Sequence, residues 1–362
     1  MKKIIIFNDH KVSYHNSIYN RIFETNDIKK YKLHYLFYKR LNEFNKKYLW
    51  ELNEYEFNKY FKEKFKINYA KGSYKLIKIY NIVKYILSIK PNFIFLQGYT
   101  DITNLIIILF SKLIGAKVLW RGEFYNNELK TSLMKKVYLK IFFKFCNLIF
   151  FSTTKSHNYI KIFYNGITYP MITSAPEFYR PLQYNYSSDK INIIFVGEIS
   201  QRKNILLTAK VISNSRFKDN INFLICGAGE DLQELLAILK KNKISYEHYE
   251  NCKPDKLLYL YNIADFLILL SEYDPSPKVC NEAFNCHLPM FLSDKIGSIN
   301  DFEFDKEIIF KTNPNSKTIG ENFNFFCENI NKYKINYKKI RKNLLNTKEN
   351  AKAFFKSVEI IT

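Results

Sequence analysis

The sequence predicts an α/β protein built from two doubly wound, Rossmann-like domains. Short apolar runs, typical of buried parallel strands, alternate with segments whose apolar residues recur at intervals of three and four, as in helices. The chain has 362 residues, enough for two domains with separate cores. It contains only 10 Gly and 9 Pro, so long low-complexity segments are not expected. We therefore expect two parallel sheets that face a cleft and bind ligands at the carboxyl ends of their strands.

The first half contains the less regular of the two patterns. Its predicted strands are residues 4–7, 31–38, 93–96, 118–120 and 148–151, and its predicted helices are residues 74–89, a segment that starts at 103, and 133–145. A polar loop over residues 8–16 follows the first strand and contains no glycine. Its His10 and His15 are candidates for a catalytic base, with ordinary surface histidines as the alternative.

The second half alternates more clearly. Its predicted strands are residues 191–196, 223–226, 244–249, 264–270 and 289–292, and its predicted helices are residues 230–241, 254–262, 276–287 and 333–358. The stretch from 176 to 190 has no sustained period and predicts an interdomain linker. We therefore place an N-terminal domain at 1–175, a C-terminal domain at 191–332 and a helical tail at 333–362.

The helix after the predicted strand 264–270 carries the strongest indication of a ligand site. The Ser276 hydroxyl is expected to cap this helix, and Pro277 suits its first position. Lys278 lies in the first turn, where the helix dipole disfavours a cation, so a bound phosphate would explain it. Glu282, one turn later, is placed to accept hydrogen bonds from ribose hydroxyls. The alternative is a solvated Lys and Glu on an ordinary helix face.

This stretch resembles a known family. Asp274, seven intervening residues, Glu282 and the following Cys-His-Leu-Pro turn resemble the acidic pair of retaining glycosyltransferases of family 4 (group 1), which have the GT-B fold. The resemblance implies that Asp274 contacts the donor sugar and that Glu282 holds the ribose. The family usually has Glu at the first position, and Glu272 is a nearby alternative to the shorter Asp274. Ser276 and Lys278 are then donor-binding residues.

Residues 197–204 resemble the family's diphosphate-binding loop. The family places an Arg after the glycine and a Lys five residues later. Lys203 matches the Lys, and Gly197 matches the glycine, but Glu198 stands where the Arg is expected. Arg202 is a candidate to compensate, and Gly227 and Gly229 of the next strand turn are also expected at the donor site. The tail at 333–362 resembles the segment that crosses back to the N-terminal domain in this fold.

Arg121 is the candidate site residue of the first domain. Many family members have a His near this point, in contact with the donor sugar, whereas this chain has Arg121 followed by Gly122 and Glu123. Arg121 is expected to pair with a phosphate or a substrate carboxylate. The alternative is a structural pair with Glu123.

The charge of the chain is uneven. The net charge is +22 overall, about +19 in residues 1–180 and about +3 in the remainder. We expect the basic half to be attracted to an anionic membrane surface rather than to nucleic acid, because no nucleic-acid-binding motif accompanies it. Lys136, Lys140 and Lys144 lie on one face of the helix 133–145, which either rests on a bilayer or presents an ordinary solvated face.

The cysteines and apolar runs bear on the cellular location. Six cysteines without a Cys-x-x-Cys pair are typical of a reducing compartment. We expect neither a signal peptide nor a membrane span, because the apolar runs are too short. The expected location is therefore the cytoplasm, with the inner face of the plasma membrane as a peripheral site.

The resemblance implies a hexosyltransferase that moves a sugar with retention from a nucleotide-sugar to a lipid-linked or surface saccharide, as in the synthesis of polysaccharide, lipopolysaccharide or capsule. Lys203, Arg202 and Lys278 would meet the charge of the diphosphate leaving group. We expect no cofactor and no required metal, because no Asp-x-Asp or His cluster stands where it could bridge the phosphates. The alternatives are a non-catalytic partner subunit, a nucleotide-sugar epimerase and, least favoured, a nucleic-acid-binding protein. The oligomeric state is not predicted.

Overall fold

The chain forms two compact units, Met1–Ile172 with Asn346–Thr362, and Thr173–Leu345. The computed structural model describes residues 1–8, 13–27, 29–38, 59, 64–72, 74–98, 102–123, 133–171, 175–176, 178–182, 189–299, 305–339 and 347–362. Each unit is an α/β layer structure in which every described strand pairing is parallel. The predicted fold class is therefore confirmed.

The first unit contains a sheet with the strand order β3-β2-β1-β4-β5-β6-β7. Its strands are β1 Lys2–Asn8, β2 Tyr31–Phe37, β3 Ile67–Tyr69, β4 Phe93–Gln97, β5 Lys117–Gly122, β6 Leu148–Phe151 and β7 Ile167–Pro170. Its helices are α1 Ser13–Glu24, α2 Lys75–Ile89, α3 Ile102–Leu113, α4 Leu133–Lys144, α5 Thr154–Lys161 and, from the end of the chain, α13 Thr347–Ile360.

Both faces of this first sheet are buried, because side chains along a strand alternate between them. On one face Ile5 of β1 lies in a core with Ile82 of α2, Ile107 of α3 and Phe142 of α4. The core on the other face is formed with α1 and α13, and it includes Ala351, Phe354 and Val358 of α13. The last helix of the chain is therefore an integral part of the first unit.

The second unit contains a sheet with the strand order β10-β9-β8-β11-β12-β13 and a single continuous core. Its strands are β8 Ile191–Val196, β9 Ile221–Cys226, β10 Ser245–Tyr249, β11 Phe266–Leu269, β12 Met290–Ser293 and β13 Ile309–Thr312. Its helices are α6 Ile205–Ser213, α7 Leu232–Lys241, α8 Pro254–Ile263, α9 Lys278–Asn285, α10 Asp305–Ile308, α11 Ile319–Glu328 and α12 Ile330–Lys339.

The strand order of the second sheet reverses between β8 and β11. From β8 the chain adds β9 and β10 on one side, and β11, β12 and β13 then follow on the other. The loops after β8 and β11 leave the sheet at the same edge, at the position where open α/β sheets generally bind ligands. This edge positions the candidate site described below.

The structure corrects three expectations about local structure. Helix α1 begins at Ser13, so only the first part of the predicted loop 8–16 precedes it. The predicted helix 333–358 consists of two helices, α12 in the second unit and α13 in the first. Strands β3, β7 and β13 were not predicted, because each has only three or four residues and too few positions to show a period.

Candidate functional site

The loops after β8 and β9 lie against each other at the carboxyl edge of the second sheet. Gly197 and Gly227 have φ angles of +153° and +146°, which favour glycine. A Cβ atom on Gly227 would lie 1.8 Å from the carbonyl oxygen of Gly197, and one on Gly229 would lie 2.1 Å from that of Ile199. The backbone N–H of Ile199 donates to the carbonyl of Ala228 at 2.9 Å. These glycines therefore allow two backbones to touch, and a direct contact with a ligand stays a prediction.

Lys203 and Asp274 form an ion pair across the switch point. Lys203 ends a single 3₁₀ turn after β8, and Asp274 lies in the loop after β11. The ammonium group of Lys203 contacts Oδ2 of Asp274, and both residues are less than a tenth exposed. The backbone of Asp274 is fixed as well, because its carbonyl accepts a hydrogen bond of 2.7 Å from the Gly297 N–H. The structure thus brings together the two residues that the sequence analysis assigned to diphosphate and sugar.

Arg202 joins the same two loops through groups that are more exposed. One of its guanidinium nitrogens lies 3.4 Å from a carboxylate oxygen of Glu198, and another lies 3.8 Å from Oδ2 of Asp274. It also donates to the carbonyl of Tyr273 at 3.2 Å. Glu272 is exposed and accepts a hydrogen bond of 3.2 Å from Asn204. The positive charge of this loop is therefore already balanced by acidic neighbours.

Helix α9 differs from the prediction at its first residues. Pro277, not Ser276, is the N-cap residue, and no side chain caps the helix. The prediction that Ser276 caps the helix is therefore wrong, because Ser276 precedes the N-cap position from which a hydroxyl reaches the first free N–H groups. Its hydroxyl is buried and has no hydrogen-bond partner among the described residues.

Three further serine hydroxyls near this edge share that property. Within the described part of the chain, the hydroxyls of Ser200, Ser271 and Ser298 are buried without a hydrogen-bond partner. They follow β8, β11 and β12, respectively. Buried polar groups are usually satisfied, and an unsatisfied one costs about 1–3 kcal/mol. A group of them at the switch point is the arrangement expected of a site for a polar ligand.

Glu282 occupies the second turn of α9, where the carboxylate is held by a tyrosine. The hydroxyl of Tyr261 in α8 donates to Oε2 of Glu282 at 2.9 Å. Removal of the carboxyl group from water raises the pKa of Glu282 to about 7, against the lowering effects of the Tyr261 hydrogen bond and the charge of Lys278. Tyr261 was missed in the sequence, although a tyrosine among the apolar positions of a helix indicates a buried hydroxyl that needs a partner.

Arg121 lies in the first unit, at the end of β5. Its side chain is buried, and a guanidinium nitrogen lies 3.2 Å from a carboxylate oxygen of Glu123. Its Nε atom also donates to the carbonyl of Met171 at 3.4 Å. The structure therefore shows the Arg–Glu pair that was the alternative interpretation, and a role for Arg121 in ligand binding stays a prediction.

The histidine candidates lie near the end of β1. Nδ1 of His15 is 2.8 Å from the side-chain nitrogen of Asn8, the last residue of that strand. His10 lies outside the described residues. The role of His15 as a catalytic base stays a prediction.

The family model described as Glycosyl transferases group 1 matches residues 183–343, which include nearly all of the second unit. This segment, which is a little under half of the chain, is therefore similar to the group 1 glycosyltransferases. The assignment agrees with the resemblance inferred from Asp274, Glu282 and Lys203. No curated protein sequence is significantly similar to this chain.

Solved structures with the same fold cover the whole of this chain, or nearly so. Sucrose-phosphate synthase from Thermosynechococcus elongatus has a TM-score of 0.74 at 10% identity, over 100% of this chain and 99% of that one. The Anabaena protein HepE in complex with UDP has a TM-score of 0.74 at 10% identity, over 99% and 100%. TarM has a TM-score of 0.74 at 10% identity, over 100% and 99%. These similarities confirm the GT-B fold.

Two properties of the described residues bear on membranes and metals. No helix within the described ranges is both long and apolar enough to cross a bilayer. In the same part of the chain, no three His, Cys, Asp or Glu side chains gather as a set of metal ligands. The expectation that the chain needs no metal stays a prediction.

Proposed function

We propose that this glycosyltransferase moves a hexosyl group, with retention, from a nucleoside-diphosphate sugar to a lipid-linked or surface saccharide. The observation that carries the proposal is the buried Lys203–Asp274 pair at the switch point of the second sheet, with Glu282 on the helix that follows. Lys203 is then the cation for phosphate, Asp274 the acid for the sugar and Glu282 the acid for ribose. They lie in the loop after β8, the loop after β11 and helix α9, at the carboxyl edge of the second sheet.

The charge of the diphosphate defines the roles of the cations. As the glycosidic bond breaks, the leaving diphosphate gains negative charge, and fixed positive groups lower the free energy of that transition state. Lys203, Arg202, Lys278 and the amino-terminal end of α9 supply such groups. In the ligand-free chain Asp274 neutralises Lys203, so donor binding would exchange Asp274 for phosphate and release the carboxylate toward the sugar.

The similar structures indicate which donor to test first. HepE has been solved with UDP and with UDP-glucose. A structure named lipopolysaccharide outer core galactosyltransferase WaaB has a TM-score of 0.62 at 14% identity, over 99% of this chain and 100% of that one. We take UDP-glucose as the first donor and a surface saccharide as the class of acceptor.

Helix α4 supports a membrane-facing role for the first unit. Its Leu139, Phe142 and Phe143 are buried against the sheet. Its outer surface carries both lysines and exposed apolar side chains, namely Leu133, Met134, Lys136, Val137, Lys140, Ile141 and Lys144. An outer helix face with apolar residues among lysines is typical of binding to an anionic bilayer, which would bring the enzyme to a lipid-linked acceptor.

A thermal-shift screen with nucleotide-sugars tests the proposal. UDP-glucose at 100 times its dissociation constant is expected to add about 2.7 kcal/mol of stability, which corresponds to a few degrees. The shift should be lost in Glu282→Ala and kept in Glu321→Ala, a matched change on the exposed surface of α11. The anomeric configuration of the product, determined by NMR, would test retention.

The non-catalytic partner subunit remains the second candidate, and Glu198 is the observation that favours it. Glu198 holds Arg202 in an ion pair where the family has a second cation. If no nucleoside-diphosphate sugar stabilises the wild-type chain, this second candidate replaces the first. Release of an altered free sugar without an acceptor would instead indicate an epimerase.

A further inference from the structure

Among the residues that the structure describes, the carboxylate of Glu282 accepts a side-chain hydrogen bond at one of its two oxygens. Tyr261 donates to Oε2 at 2.9 Å, and no other residue in the described ranges donates a hydrogen bond to the carboxylate. The Tyr261 side chain is 1% exposed, and its ring packs edge-on against the ring of Tyr179, with 5.8 Å between the centroids. The ring that carries the Tyr261 hydroxyl is therefore held in place by its packing in the core.

Few of the ionisable groups around Glu282 are charged near pH 7. Five groups interact electrostatically with the Glu282 carboxylate, so that one affects the pKa of the other: Tyr179, Tyr261, Lys278, Cys280 and Cys286. Burial raises the pKa of both tyrosines and both thiols, so all four are neutral near pH 7. Lys278 and the Tyr261 hydroxyl then remain to favour the carboxylate form of Glu282.

We propose that Tyr261 is a positioning residue, whose hydroxyl holds Oε2 of Glu282 so that Oε1 accepts hydrogen bonds from the vicinal diol of the donor's ribose. This inference rests on the proposed function, in which Glu282 meets the ribose. A carboxylate with one oxygen held by a rigid, buried ring loses less rotamer freedom when the ligand arrives. The same hydrogen bond favours the ionised carboxylate, which is the better acceptor for two hydroxyls.

Replacement of Tyr261 by Phe tests the inference, with Tyr179→Phe as the matched control. Both changes remove one buried hydroxyl and keep a ring, but only Tyr261 bonds to Glu282. In the ligand-free protein, the Glu282 carboxyl can be titrated by ¹³C NMR and assigned with Glu282→Gln. We expect Tyr261→Phe to raise its titration midpoint by about one pH unit and Tyr179→Phe to leave it unchanged.

Binding of UDP-glucose as a function of pH tests the second half of the inference. UDP-glucose carries no group that titrates between about pH 6 and pH 8.5, because its diphosphate ionises well below this range and its uracil N3–H above it, so the pH dependence within this range reports the protein. With the midpoint raised from about 7 to about 8, the ionised fraction of Glu282 at pH 7 falls from about one half to about one tenth, so Tyr261→Phe should weaken binding about fivefold at pH 7. Most of this loss should be recovered at about pH 8.5. A purely structural defect would weaken binding equally at every pH.

The outcomes separate this inference from the proposed function. An unchanged Glu282 midpoint in Tyr261→Phe would overturn the positioning role, whether or not a donor binds. A second possible result is that the midpoint shifts in Tyr261→Phe but the wild type does not bind UDP-glucose. That result would confirm the contact between the two side chains and contradict the binding of ribose by Glu282. A pH-independent loss of affinity would also contradict the inference.

Discussion

The ammonium group of Lys203 and the carboxylate of Asp274 form a buried ion pair that links the loop after β8 to the loop after β11. These loops flank the point where the strand order of the second sheet reverses. Under the proposed function, a nucleoside-diphosphate donor would therefore compete with an internal carboxylate for Lys203. The pair keeps the cation in place before the ligand arrives.

Loss of the Asp274 carboxylate should destabilise the second unit. Asp274→Ala leaves the ammonium group of Lys203 buried without its principal partner, and removal of one member of a buried pair costs about 3 kcal/mol or more. Glu272→Ala, two residues earlier, removes an exposed acid and should cost less than about 1 kcal/mol. Urea denaturation of the two variants measures both values. Equal, small losses would show that the pair is open to solvent.

Gly227→Ala should be among the most disruptive substitutions in the second unit. The new Cβ would lie 1.8 Å from the Gly197 carbonyl oxygen, at a φ of +146° that alanine rarely adopts. We expect a loss of more than about 3 kcal/mol. Gly320→Ala in α11 meets no atom within 4 Å and should stabilise by about 0.5–1 kcal/mol. Thermal denaturation of both variants checks the contrast, and a well-folded Gly227→Ala would contradict it.

Glu198→Gln should strengthen the binding of a nucleoside diphosphate. The change removes an acid from the predicted phosphate site and releases Arg202 from the ion pair at 3.4 Å. Because both groups are more than a third exposed, we expect a gain of about three- to tenfold in UDP affinity at low salt, diminishing as salt is added. Calorimetry with Glu328→Gln, which removes the partner of Arg216, controls for net charge. An equal gain in that variant would assign the effect to net charge.

The stability of the chain relative to Glu282→Gln should depend on pH. The pKa of Glu282 is raised from an ordinary value of 4.5 to about 7, so the folded state binds a proton more tightly than the unfolded state between those values. The stability of the wild type relative to the variant should therefore fall as pH rises from about 4.5 to about 7, and stay constant above. The melting temperatures of the wild type and the variant in matched buffers measure this relative stability. A relative stability that rises with pH would contradict the raised pKa of Glu282.

Binding to anionic liposomes should depend on the outer face of α4. Replacing Lys136 and Lys140 by Gln is expected to weaken binding about tenfold or more, since each lysine contributes about 1 kcal/mol near such a surface. The double change Val137→Gln and Ile141→Gln should weaken liposome binding at high salt as well. These half-exposed apolar side chains would insert into the bilayer, and salt does not screen that contribution. Flotation assays measure both. Phe325→Gln, at an exposed apolar site of the second unit, is the control, and a similar loss there would refute the assignment to α4.

The sequence predicted the bounds of secondary-structure elements most accurately where consecutive residues are buried. The strand at 191–196 is confirmed to the residue, because five of the six residues of β8 are buried in the centre of a parallel sheet. Contacts between side chains of different elements were harder to predict from the sequence. The bond from Tyr261 to Glu282 depends on how α8 packs beside α9, and the pair of Arg121 with Glu123 depends on how the chain turns after β5. Residue type alone left these alternatives open.

The position of α13 also constrains the order of events during synthesis. Ala351, Phe354 and Val358 complete the core on one face of the first sheet, yet they are translated after the whole of the second unit. While a ribosome is still making the second unit, that face of the first sheet is covered by α1 but lacks the side chains of α13. The amino-terminal unit should therefore finish folding last, and the nascent chain should bind chaperones until its final helix emerges.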